Sequence, residues 1–214
     1  MSEAYFGAYH RFKTASKKEG GALMSADNLV GGRFSIEFER DGAGQTAWLA
    51  NRFGKRVGYF EPGLSRQLQL YAARGLELAA VLSYVGFSSE PAPGEYFGEC
   101  AVIAYDSAHD QAFSRFIEAV GKRMAEGMRP KVDLGAEGAA KVIESGGAWL
   151  PKQTMPQPPK EQGVVIVKDK QSLADRAVEQ GRAGNKGCYV GSILFIIAVV
   201  ALVAFGFASC SGLI

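Results

Sequence analysis

The chain has 214 residues, with 24 Lys and Arg against 22 Asp and Glu, 47% hydrophobic content, three Cys and two His. That length suits one ordinary domain with an appendage, or two small domains, and a net charge of +2 speaks against a strongly basic nucleic-acid binder and against an acidic disordered tail. Cys100, Cys188 and Cys210 are too few and too scattered for a disulfide framework or a structural zinc site, and His10 and His109 leave little material for metal or triad chemistry.

From the start, Ser2 to Lys18 predicts a helix carrying Tyr5, Phe6, Tyr9 and Phe12 together with Arg11, Lys13, Lys17 and Lys18, its aromatics packing on a sheet. Phe34, Ile36 and Phe38 then alternate with Ser35, Glu37 and Glu39, the period of a strand with one wet face. Asp41 to Gln45 is a turn, Thr46 to Arg52 a second strand, and Lys55 to Phe60 a third, ended by Pro62 and Gly63. Leu64, Leu68 and Tyr71 make a short amphipathic helix closed by Gly75. Leu76 to Phe87 and Tyr96 to Tyr105 read as a hairpin-like pair of long strands around a polar loop. Asp106 or Ser107 caps a helix whose Phe113, Phe116, Ile117, Val120 and Met124 form one apolar stripe, and a smaller helix from Leu134 to Glu144 stops at Gly146 and Gly147. Strands followed by a helical end imply an α+β domain over residues 1–150, a small antiparallel sheet or barrel with flanking helices.

Within that domain, strand, turn, strand, then Gly54-Lys-Arg-Val-Gly-Tyr-Phe-Glu-Pro62, a short helix, and Gly75 before a strand resemble the HIRAN domain over about residues 34 to 87. That resemblance implies a small β-barrel and a platform for single-stranded DNA ends. The family's Asp, Asn and Pro-rich stretch is replaced here by Glu39-Arg-Asp-Gly-Ala-Gly-Gln45.

Arg52, Lys55 and Arg56 with Tyr59 and Phe60 are the best interleaving of basic and aromatic side chains, as base stacking plus phosphate contact require. Residues 1–150 nevertheless hold 17 basic and 18 acidic side chains, so a solvated strand edge is the plainer reading and nucleic acid is a partner to be tested rather than assumed. Asp106, Ser107, His109 and Asp110 stand together as a helix cap, since a nucleophile and its base ordinarily meet from separate elements. The glycine pairs precede no phosphate-binding motif, and Glu37 with Glu39 lies on a wet strand face in a solubilising role. These readings predict no enzyme, no metal and no cofactor.

Residues 151–187 read as a linker. Leu150 to Lys160 holds four prolines and cannot keep a helix. Gly163-Val-Val-Ile-Val167 is a short strand that either docks on the domain or hangs free, and Ser172-Leu-Ala-Asp175 opens a short helix with capping-box spacing, Leu173, Ala174, Ala177 and Val178 sharing one face.

Beyond Lys186 the chain carries no charge. Residues 189–210 span roughly 33 Å as a helix, enough for a hydrocarbon core of about 30 Å. Ile193, Leu194, Phe195, Ile196 and Ile197, then Val199, Val200, Leu202, Val203, Phe205 and Phe207, favour insertion by roughly 3 to 7 kcal/mol together. A core helix would keep a polar face, and the run lies at the wrong end for a signal peptide. Lys168, Lys170, Arg176, Arg182 and Lys186 all precede it, so the positive-inside tendency leaves the N-terminal domain cytoplasmic. Ala201, Ala204 and Ala208 offer a close-approach face for a homo-oligomer through the membrane helix, and Cys188 sits where acylation is chemically sensible. The expectation is a single-pass, tail-anchored protein of the lipid bilayer whose cytoplasmic domain is a non-enzymatic interaction or scaffold module with a protein partner. The alternative is a membrane-tethered, HIRAN-like nucleic-acid-binding module.

Overall fold

The computed structural model describes residues 5–42, 44–90, 92–158 and 161–182, with positions 195, 197, 199 and 200 beyond them. The chain divides into two compact units, Met1–Gln171 and Ser172–Ile214.

The first unit is α+β. Its strands are β1 (Tyr5–Lys13), β2 (Arg33–Asp41), β3 (Gly44–Ala50), β4 (Arg56–Tyr59), β5 (Leu76–Ser88), β6 (Glu95–Asp106) and β7 (Val164–Lys168). They form one sheet in the order β2-β3-β4-β1-β6-β5-β7, every pairing antiparallel. Pairing of Arg33 and Phe34 with Val81 and Ala80 returns β5 to β2 and closes a six-strand barrel, with β7 added outside it along the far half of β5.

The helices are α1 (Lys17–Ala22), α2 (Pro62–Ala73), α3 (Asp110–Ala125) and α4 (Gly135–Glu144). Proline starts α2 at its first turn, where no N–H partner is lost, and Gly75 stops it at φ 82°. Before α3, Asp106 caps a short 3-10 turn, its Oδ1 accepting the Ala108 N–H at 2.9 Å. The five stripe residues of α3 are all buried.

Two cores result. The barrel interior holds Phe12, Phe34, Leu49, Phe60, Leu82 and Val102, joined by Leu68 from α2 and by Leu23. On the outside of β1, β6 and β5, the stripe of α3 and Val142 of α4 cover Tyr5, Val81, Ala101, Ile103 and Tyr105. The barrel seam is narrow, because β1 meets β4 only at Lys13 and Tyr59. Phe12 fills it, its ring lying where a Cβ on Gly58 or on Gly98 would come within 2.4 or 2.2 Å. Any side chain at either glycine would expel the ring that holds the seam.

The N-terminal segment corrects the sequence expectation: it is strand β1 and not a helix. Its aromatics divide between two cores, Tyr5 toward the helices and Phe12 toward the barrel interior. A helix would have lost nine register pairs with β6, and Gly7 lets the strand pass so near Val132 that a Cβ there would lie 2.0 Å from its carbonyl oxygen.

The compact unit also extends beyond residue 150, to Gln171. Residues 150–158 of the proline-rich stretch run as a strap whose backbone bonds residues 129–131: Lys131 N–H donates to Gln153 O (3.0 Å) and Met155 N–H to Arg129 O (2.6 Å). The following strand is docked as β7, and Lys168 Nζ ties its end to Ser25 O and Asn28 O at 3.2 and 3.0 Å.

In the second unit, α5 (Leu173–Arg182) begins with the expected capping box. Asp175 N–H donates to Ser172 Oγ (3.1 Å) and Ser172 N–H to Asp175 Oδ2 (3.0 Å). Leu173 is 84% exposed and Val178 40%. The predicted span 189–210 lies outside the described residues except at Phe195, Ile197, Val199 and Val200, which are helical and exposed. No described helix is long and apolar enough to cross a membrane. Cys188, with Ala201, Ala204 and Ala208, also lies outside them.

Candidate binding site

The turn between β3 and β4 is built on one buried carboxamide. Asn51 Oδ1 accepts the N–H groups of Phe53 (3.0 Å) and Lys55 (3.1 Å), and its Nδ2 donates to Asn28 Oδ1 (3.0 Å). Gly54 completes the turn at φ 72°, its N–H bonded to Asn51 O at 2.8 Å. This fixed platform holds Phe53 57% exposed, with the Arg52 guanidinium 4.9 Å from its ring centre and Lys55 exposed beside it.

Arg56 and Tyr59 belong to a different surface, the outer face of β2, β3 and β4. Residues three apart on a regular strand point to opposite faces. Here the pairing shifts between Leu49 and Ala50, and both side chains reach Trp48: Tyr59 at 5.2 Å between ring centres, Arg56 at 5.1 Å over the ring. Arg56 also pairs with Glu39 (2.6 Å) and Glu37 (3.4 Å). Two carboxylates already engage this one guanidinium, so Arg56 is not disposed to meet phosphate. Of the four predicted contact residues, the structure thus sets Arg52 and Lys55 together on the turn and removes Arg56 and Tyr59 into a neutralised stack. Phe53, which the sequence reading passed over, is the turn's aromatic. Its signal was an aromatic between Arg52 and Gly54, where a turn buries little.

A second cluster is buried under the strap. Arg129 Nη2 donates to Glu99 Oε1 at 2.5 Å, and its Nη1 donates to Pro156 O. Its guanidinium lies 4.6 Å over Tyr9, whose hydroxyl donates to Pro130 O at 2.6 Å. Burial pushes the Glu99 carboxyl above its ordinary range even with Arg129 beside it, so desolvation outweighs the ion pair. Burial, then Glu99, likewise raises Tyr84. Arg11 fastens the strap's far end through a two-pronged bond to Glu161 (2.7 and 3.0 Å). Each charge here has its partner inside the fold, which makes the cluster a clasp for the strap.

A cleft of about 500 Å³ opens beside His10, Lys13, Glu61, Leu64, Glu95 and Phe97. Its lysine is already paired with Glu61 at 3.1 Å, and burial lowers the pKa of His10, which stacks on Phe6. The Asp106 to Asp110 group serves the α3 end: Asp110 Oδ1 accepts the hydroxyls of Tyr105 (2.8 Å) and Ser114 (3.3 Å). Among the described residues no three His, Cys, Asp or Glu side chains are grouped to hold a metal ion. No family model, no curated protein and no solved structure matches the chain.

Proposed function

We propose that this chain is a single-pass, tail-anchored membrane protein whose N-terminal α+β domain faces the cytoplasm and works as a non-enzymatic interaction module. The observation that carries the reading is the charge-free end from Cys188 to Ile214, with eleven Ile, Leu, Val and Phe residues between Ile193 and Phe207. Such a run prefers hydrocarbon to water. The turn at 51–55 supports the interaction role, because a rigid, exposed aromatic flanked by cations is a preorganised anchor for a partner.

Membrane flotation of the full-length chain tests the anchor. The wild-type chain floats with membranes and resists alkaline extraction, and I197R/V200R stays in the soluble fraction; a wild-type chain that remains soluble without detergent overturns the reading. For the domain, crosslinked partners of the wild-type chain are lost on F53S/K55E if the turn is the contact, and their retention moves the contact elsewhere.

The grouping of Phe53, Arg52 and Lys55 also favours a second reading, a HIRAN-like module that stacks single-stranded nucleic acid at the membrane. Salt-sensitive retention on single-stranded DNA that R52E/K55E abolishes supports it; no retention at low salt eliminates it.

A further inference from the structure

Strand β7 ends the sheet, and its outer side forms no ladder with another described strand. Natural edge strands are commonly blunted by charge, proline or a bulge, because a row of open N–H and C=O groups is a template for another chain. Over Val164-Val-Ile-Val167 the strand carries neither charge nor proline; its one irregularity is a shift in the pairing with β5 between Val85 and Gly86, and exposed and partly buried residues still alternate along it. Four consecutive β-branched residues have strong strand preference, and Val165 and Val167 stand 59% and 39% exposed. Val164, Ile166 and Lys168 are partly buried.

We propose that β7 is a pairing surface for a second copy of this chain, the two strands joining antiparallel about a twofold axis at Ile166. Opposed residues in an antiparallel pair point to the same face, so a continuous sheet must set Val165 and Val167 against residues of their own face. Centring on Ile166 does this and also overlaps all five residues of β7. Val165 then meets the partner's Val167, and the reciprocal contact doubles the pair; cross-strand β-branched pairs of this kind are stabilising. Val164 meets the partner's Lys168, and Gly163 the partner's Asp169, so no like charges are opposed.

A five-residue strand pair is smaller than a standard stable interface of about 1,600 Å². It therefore associates weakly in free solution and strongly where two chains share one bilayer and their effective concentration rises. That enhancement, unlike the pairing itself, rests on the proposed membrane anchor.

The test uses full-length chain, donor- or acceptor-labelled, in lipid vesicles and in parallel at high concentration in detergent. Energy transfer above that of randomly mixed molecules is expected for wild type. V165E/V167E sets glutamates against glutamates and abolishes it, while V165K/V167E sets each introduced lysine against an introduced glutamate and restores it. Unchanged transfer in V165E/V167E, or no recovery in V165K/V167E, overturns the proposal. A second readout fixes the register in a C188S/C210S background: copies bearing Val165→Cys oxidise to disulfides with copies bearing Val167→Cys and not with one another. Equal yields, or none, overturn it; an edge that captures another protein's extended segment gives none. Failure of the chain to float with vesicles sinks the anchor alone, since transfer in detergent still reports the pairing. Both valines are exposed, so the variants keep the wild-type circular dichroism spectrum.

Discussion

The two sides of the barrel obey different rules. Along β5 and β6, Ala79, Val81, Ala101 and Ile103 pack under the helices while Ala80, Leu82, Cys100 and Val102 fill the interior. Along β2, only one set is covered: Phe34, Ile36 and Phe38 turn inward, and Ser35, Glu37 and Glu39 meet water. The covered side is closed beneath its helices. The bare side and the edge of β7 leave strand surface exposed to water.

The sharpest way to break that contrast is to empty the covered side. Phe116 is fully buried within the α3 stripe, and Phe116→Ala should cost about 3 to 5 kcal/mol through lost burial and the cavity left behind. Urea unfolding with an unchanged slope checks this. A loss under about 1 kcal/mol would mean that α3 is not the lid of that core.

Next in size is the clasp beneath the strap. Arg129→Met strands the Glu99 carboxylate in a dry site, and removing one partner of a buried ion pair costs about 3 kcal/mol or more. Replacing both partners, R129M/E99L, should recover most of that loss, because the raised Glu99 pKa already shows burial outweighing the attraction. Stability of the double variant no better than that of Arg129→Met would contradict this account, as would a strap that is equally protected from proteolysis in all three chains.

How much of this was legible depended on which side of the barrel a segment joined. The alternation of β2 and the single stripe of α3 were readable because each has one wet face. β1 was not: Tyr5, Phe6, Tyr9 and Phe12 fit helical spacing, and only contact with β6 and two separate cores makes them a strand. The strap was hidden for another reason. Arg129 and Glu99 are 30 residues apart and Arg11 and Glu161 are 150 apart, and charge pairs at that separation leave no periodic trace. Arg56 looked free to meet phosphate because its neutralisation by Glu37 and Glu39 depends on an irregular pairing that composition does not reveal.

A smaller effect separates the sides by pH. The Glu99 carboxyl is raised in the folded chain, burial being the largest cause. The native state therefore keeps a proton over a window where the unfolded chain has released it, and this group's share of stability falls as pH rises from the ordinary glutamate value of about 4.3 through the raised one. Glu99→Gln removes that fall. The two chains should unfold alike at the acidic end of the window and diverge above it, the wild type losing relative to the variant. Parallel melting curves across the window would place Glu99 in water and dissolve the clasp.

The smallest effect belongs to the bare side. The Asn51 carboxamide holds Phe53 through its backbone N–H, so Phe53→Ser leaves that bond in place. Its ring gains little on folding because more than half of it stays in water, and the expected change in stability is within about 0.5 kcal/mol. Amide exchange at residues 53 and 55 should be unaltered as well, since Asn51 Oδ1 still accepts both N–H groups. A loss of 2 kcal/mol or more, on the scale of burying a whole phenylalanine, would instead make Phe53 part of the domain's own packing and overturn the anchoring role proposed for it.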